Sequence, residues 1–171
     1  MRHLIAVSLL LAGSVAMADD CEFQADRSFT VDRGEITALN VKTGRNDLRV
    51  QGEAGLAQIV VTAKACASDE EDLPKLKLTQ RPDGTRLLIE AENPDSSGGI
   101  LLFHGYADLD IQIRLPADLA VSVDAGSGDT TARDLASLDY DAGSGDLDAD
   151  GIRDELRADV GSGDITANGV G

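Results

Sequence analysis

The sequence predicts an all-β protein. Its main body is a β-solenoid of stacked strand–GSGD turn–strand units, with an irregular, hairpin-containing N-terminal part. Three observations lead there. The string Asp-x-Gly-Ser-Gly-Asp occurs three times toward the end of the 171 residues, in windows that start at Ser122, Tyr140 and Ala158. Apolar and polar residues alternate on both sides of each copy, the period of a strand with one buried face. Aromatic residues make up 3% of the chain and Trp is absent, so the core must be Val, Ile, Leu and Ala, which suits thin, repetitive β structure.

The first eighteen residues read as a signal peptide rather than as part of the fold. Arg2 and His3 form a short basic start, Leu4 to Leu11 an apolar run, and Ala16-Met17-Ala18 a site with small residues where a signal peptidase reads them. The run is shorter than the roughly 20 residues a membrane span needs, and no later segment is apolar for long enough either. Residues 19–171 are then expected as a single mature domain in the periplasm or outside the cell. Cys21 and Cys66 are the two cysteines, and an even count in an oxidising compartment predicts one disulfide. It would pin the N-terminal arm to a strand ending near Ala65.

Further along, Leu39 to Val50 alternates on both sides of a Gly-containing turn and reads as a degenerate unit, with Asp47 at the place of Asp129. Gln58 to Ala65 reads as a strand. Leu76 to Thr79 and Leu87 to Ala91 flank Arg81-Pro82-Asp83-Gly84, a hairpin turn. Residues 69–72 and 93–99 have loop composition. The apolar segment Ile100 to Tyr106 fits either a cover over an open end of the stack or an exposed docking patch. Leu109, Ile111, Ile113 and Leu115 alternate up to Pro116, which ends that strand. In the repeats, Val121, Leu138 and Leu156 form one inward column, and Leu135, Ile152 and Val170 another. Asp150 to Arg157 is charged and lacks strand formers; it reads as a turn plus the start of a strand, with a short helix as its rival.

Together these features resemble the bacterial putative-adhesin family of β-strand-repeat proteins, a domain of unknown function. The residues that carry the resemblance are Ile111-Gln112-Ile113-Arg114-Leu115-Pro116 and the GSGD turns that begin at Gly126, Gly143 and Gly161. The likeness spans roughly residues 30 to 171. It implies a repeat architecture and an adhesion-type role, and it brings no catalytic or binding residues with it.

Charge narrows the choice of partner. Loss of Arg2 with the signal peptide takes Lys+Arg from 15 to 14 against 31 Asp+Glu, a balance of −17. Such a surface repels nucleic acid and anionic lipid. If the units stack, Asp129, Asp146 and Asp164 lie one strand spacing apart, about 4.8 Å; Asp124, Asp141 and Asp159 form a second column. Neighbouring carboxylates at that distance repel by somewhat under about 1 kcal/mol in water, so something should compensate. Each Asp after GSG could accept backbone N–H groups of its own turn. Alternatively the column Asp129, Asp146 and Asp164 could hold Ca²⁺, which takes carboxylate oxygens. Catalysis has little support: His104 is the one histidine of the mature chain, no CxxC occurs, and paired acids are what a repeat produces anyway. The expected role is therefore non-enzymatic binding of a protein or glycan of the cell envelope, with no cofactor. A calcium-stabilised surface module is the alternative, and a carbohydrate-cleaving enzyme a more distant one.

Overall fold

The structure, a computed structural model, describes residues 21–93 and 105–171. The signal-peptide expectation, His104 and most of the Ile100 to Tyr106 segment lie outside the described residues. Within them the chain forms fourteen strands and one 3-10 turn at Leu73–Lys75. In order the strands are β1 (Phe23–Asp26), β2 (Phe29–Asp32), β3 (Ala38–Gly44), β4 (Leu48–Glu53), β5 (Gln58–Ala67), β6 (Lys77–Asp83) and β7 (Arg86–Glu92). They continue with β8 (Ala107–Pro116), β9 (Ala120–Ala125), β10 (Thr130–Arg133), β11 (Ser137–Ser144), β12 (Leu147–Asp150), β13 (Glu155–Ser162) and β14 (Ile165–Asn168).

These strands make two mixed sheets, neither closed into a barrel. The first has the order β1-β5-β8-β4-β10-β12-β14, with β2 also paired to β5; the second has the order β13-β11-β9-β3-β7-β6. Each GSG turn carries the chain from the second sheet to the first. Thr130 therefore pairs in parallel with Leu147, and Leu147 with Ile165, while Val121 pairs with Leu138 and Leu138 with Leu156. The degenerate unit joins the same stack: Leu48 pairs with Thr130 and Leu39 with Val121.

The order in space differs from the order in sequence. Unit β3–β4 lies directly beside unit β9–β10, and the strands β5 to β8 between them in sequence are laid on its other side. There β8 pairs parallel to β4, β5 antiparallel to β8, β7 parallel to β3, and β6 antiparallel to β7 as a hairpin. The hairpin strands run further than their apolar residues suggest, through Pro82 and Asp83 to a turn at Gly84. β6 is an edge strand, which tolerates Pro82 because its N–H position can face solvent. The segment 150–157 is a turn, with Gly151 at φ 71° and a bend at Asp154, followed by the start of β13 at Glu155.

The inward residues of both sheets form one core. Leu39, Leu48, Val123, Leu138, Tyr140, Leu147, Ala149 and Ile152 are all buried. Each large aliphatic side chain removed from water contributes roughly 1.5–3 kcal/mol. The burial fades in the last unit. Leu156, Ala158 and Val160 are only partly covered, and Ile165 and Val170 are 46% and 44% exposed. What buries each unit is the unit after it.

Candidate functional site

The GSG turns stack as closely as the strands do. Gly126 N–H donates to Gly44 C=O at 2.5 Å, and Ser144 N–H to Gly126 C=O at 2.8 Å. A Cβ on Gly143 would lie 2.9 Å from Gly126 C=O, and one on Gly145 would lie 2.5 Å from Gly128 C=O, the latter at φ 105°. The glycines thus serve the approach of one turn to the next more than the sharpness of any single turn.

Beside them runs the column of aspartates that follows the GSG strings. Asp129 N–H donates to Asp47 Oδ1 at 3.0 Å, Asp146 N–H to Asp129 Oδ1 at 2.9 Å, and Asp164 N–H to Asp146 Oδ1 at 2.8 Å. The expectation that each carboxylate caps its own turn is corrected in one respect. The N–H groups it accepts belong to the next unit. Asp47, Asp129 and Asp146 therefore each join two units, and the charge-assisted bond offsets the repulsion along the column. Asp47 is the first member, and the Asp164 carboxylate has no hydrogen-bond partner among the described residues. Among the described residues, no three His, Cys, Asp or Glu side chains converge as a metal site would require.

The second column is in register on the outer face of the second sheet. Lys42, Asp124, Asp141 and Asp159 are consecutive partners across β3, β9, β11 and β13, with Asp139 beside them, paired with Arg157. Lys42 Nζ lies 3.7 Å from Asp124 Oδ2. The outer face of the first sheet carries several close ion pairs. Arg49 meets Asp110 at 2.6 Å, Arg133 meets Asp148 at 2.5 Å, and Arg114 grips Glu53 through two nitrogens. The Arg114 guanidinium holds the Glu53 carboxyl below the usual carboxylate range, and Arg33 does the same to Asp118. What sets the second sheet apart is the in-register run Asp124, Asp141 and Asp159 across β9, β11 and β13; its other charges include the pairs Lys77–Glu92 and Arg157–Glu155.

Cys21 and Cys66 form the expected disulfide, with Cα atoms 5.6 Å apart, and it ties the arm before β1 to β5. Beside it lies an open groove of about 520 Å³ lined by Arg45, Arg49, Lys64, Tyr106 and Asp108. Sequence reasoning did not foresee it, because its residues come from four separate segments. Inside the core, burial pushes the Tyr140 phenol up, with the nearby Thr130 hydroxyl opposing and the Asp129 and Asp146 carboxylates adding to the rise. Tyr140 Oη, Thr130 Oγ1 and Thr43 Oγ1 are buried without a well-formed hydrogen bond.

Two open mixed sheets make this an all-β protein, and its fold has a likeness among solved structures. A putative cell adhesion protein from Clostridium sporogenes shares the fold with a TM-score of 0.53 at 13% identity, over 85% of this chain and 99% of that one. A putative adhesin from Bacteroides fragilis aligns at 0.47 and 17% identity, over 84% of this chain and 62% of that one. A putative lipid binding protein from Parabacteroides distasonis aligns at 0.44 and 14% identity, over 88% of this chain and 60% of that one. The chain thus spans about three fifths of the length of the last two. No family model and no curated protein matches the sequence. The likeness read from the GSGD turns and from Ile111 to Pro116 is supported at the level of the fold.

Proposed function

We propose that this chain is a non-enzymatic binding module of the cell envelope. In this reading residues 1–18 direct export, residues 19–171 are one domain, and the stacked C-terminal units act as a short β-solenoid. The solenoid presents a repeated acidic surface to a protein or glycan that carries positive charge. The observation that supports this most is the in-register column Asp124, Asp141 and Asp159, with Asp139 beside it, on the outer face of the second sheet. Like charges one strand apart on a flat sheet give a field that a cationic ligand relieves at several points at once. A disulfide suits an oxidising compartment. The shared fold with a protein described as a putative cell adhesion protein adds weight in the same direction.

The test has two arms. Cell fractionation with sequencing of the mature N-terminus examines export, which predicts a chain that starts at Asp19 outside the cytoplasm. Titration of the purified domain onto intact envelopes, in low and high salt, examines the face. Binding should weaken with salt and drop at least tenfold when Asp124, Asp141 and Asp159 are all changed to Asn. Binding that ignores both salt and the Asn substitutions would refute the role of this face.

A further inference from the structure

The disulfide sits where it can be broken without loss of the core. Along β5 the side chains of Ala63, Ala65 and Ala67 point inward and are at most 1% exposed. Thr62, Lys64 and Cys66 alternate with them and lie on the outer face of the first sheet. Cys66 is partly exposed there, as is Cys21. The bond therefore lies outside the packed interior, and what it fastens is the arm that leads into β1.

β1 has few other holds. It is four residues long, stands at the end of its sheet with β5 as its one partner, and has no fully buried residue. Ala25 is its contact with the core, whereas β2 brings both Phe29 and Val31. Ahead of β1, the Glu22 N–H donates to Tyr106 Oη at 3.0 Å. Behind it the chain is anchored. Arg27 Nε donates to Leu76 C=O at 2.8 Å, Arg27 Nη2 to Leu73 C=O at 3.1 Å, and the Arg27 N–H to Ala63 C=O at 2.8 Å. Ser28 Oγ accepts the Ala63 N–H at 3.1 Å. Residues 21–26 thus form a flap, hinged at Arg27 and Ser28 and fastened at Cys21. Beyond the hinge, the rest of the 45-residue loop that the disulfide closes is held by other means. β2 pairs with β5, β3 with β9, and β4 with β10.

We propose that Cys21–Cys66 is a redox latch. A dithiol reductant opens it, and residues 21–26 then swing off β5 while the two sheets stay folded. A thiolate of the dithiol attacks one sulfur of the pair and expels the other as a thiolate, which leaves a mixed disulfide. The second thiolate of the dithiol attacks the first and frees the remaining cysteine. Two electrons and two protons pass to the protein, and the dithiol departs as its own disulfide. In the open form the backbone of residues 64–67 is unpaired on the side where β1 lay, while β2 still covers residues 58–61. This inference concerns the arm and is independent of the acidic face.

Hydrogen exchange read by mass spectrometry, before and after treatment of the protein with dithiothreitol in buffer without denaturant, tests it. Reduction is expected to go to completion and to raise exchange about tenfold or more in residues 21–26 and 64–67. Residues 38–53 and 107–150 should exchange as before, and reoxidation should restore slow exchange in the flap. The variant with both Cys21→Ser and Cys66→Ser should match the reduced protein whether or not dithiothreitol is present. Unchanged exchange in residues 21–26 after reduction would overturn the inference, because the strand pairs would then hold the arm alone. A rise spread over the whole chain would also overturn it, since the bond would then hold the fold rather than the flap. So would a bond that dithiothreitol leaves intact in the folded protein.

Discussion

At the scale of single residues, the aspartates after GSG are alike in sequence and unlike in energetic role. Asp129 and Asp146 each accept an N–H from the next unit, whereas Asp164 accepts none among the described residues. Truncating the first two should therefore cost more than truncating the third. Asp129→Ala and Asp146→Ala are expected to lose about 0.5–1.5 kcal/mol each in urea unfolding, because each removes a bond that joins two units. Asp164→Ala should stay within about 0.5 kcal/mol of the parent. Asn at Asp129 should fall between, since its amide oxygen still accepts. Equal losses at all three positions would show that the carboxylates act through something other than these bonds. Tyr140 gives a second residue-scale expectation. Its hydroxyl is buried and lacks a well-formed hydrogen bond, and its side chain is 1% exposed. Tyr140→Phe should be neutral or stabilising by up to about 1 kcal/mol. The sign of the pH effect follows from the raised phenol: the folded state favours the neutral form, so the contribution is whole below the ordinary value of about 10 and is lost as pH rises through the raised one. The parent should therefore lose more stability than Tyr140→Phe between neutral and strongly alkaline solution.

At the scale of elements, alternation made most of the strands legible. Val121, Val123 and Ala125, then Leu138, Tyr140 and Ala142, face inward as their spacing requires. The hairpin and the strand before Pro116 are equally plain in the sequence. β1 and β2 were not, because Phe-Gln-Ala-Asp and Phe-Thr-Val-Asp are four residues each and too short to display a period. Their pairing with β5 is set by long-range contacts, including the disulfide that anchors the arm. A cross-link between positions 45 residues apart removes chain entropy from the unfolded state worth roughly 2–4 kcal/mol. Reduction, or Cys21→Ser with Cys66→Ser, should lower the stability by that amount in equilibrium unfolding. A change below about 0.5 kcal/mol would mean that the arm is held by its strand pairings alone. The glycines were legible as turn formers, but the reason for them was not. Only the stacked structure reveals that Gly143 must lack a Cβ because Gly126 C=O lies above it.

At the scale of the whole molecule, the sequence lays out units in one order and space arranges them in another. Residues 54–119 interrupt the run of units, yet β4 pairs directly with β10 as though they were absent. Nothing in local periodicity encodes that jump; it follows from the matched faces of Leu48 and Thr130, and of Leu39 and Val121. The recognisable cores of the candidate site, the two Asp columns, were visible in the sequence as a spacing. Which group each carboxylate accepts was not, because the donor lies a full unit away. The central claim is that the carboxylates of Asp129 and Asp146 join units by accepting backbone N–H groups of the next unit, so that the column needs no cation to hold it. Thermal unfolding of residues 19–171 with Ca²⁺ and with chelator, for the parent and for the variant with all three changed to Asn, tests it most directly. The expected result is the same melting temperature in Ca²⁺ and chelator for both proteins, with the Asn variant melting modestly lower. A large Ca²⁺-dependent rise in the parent that vanishes in the Asn variant would contradict the claim and make the chain a calcium-stabilised module.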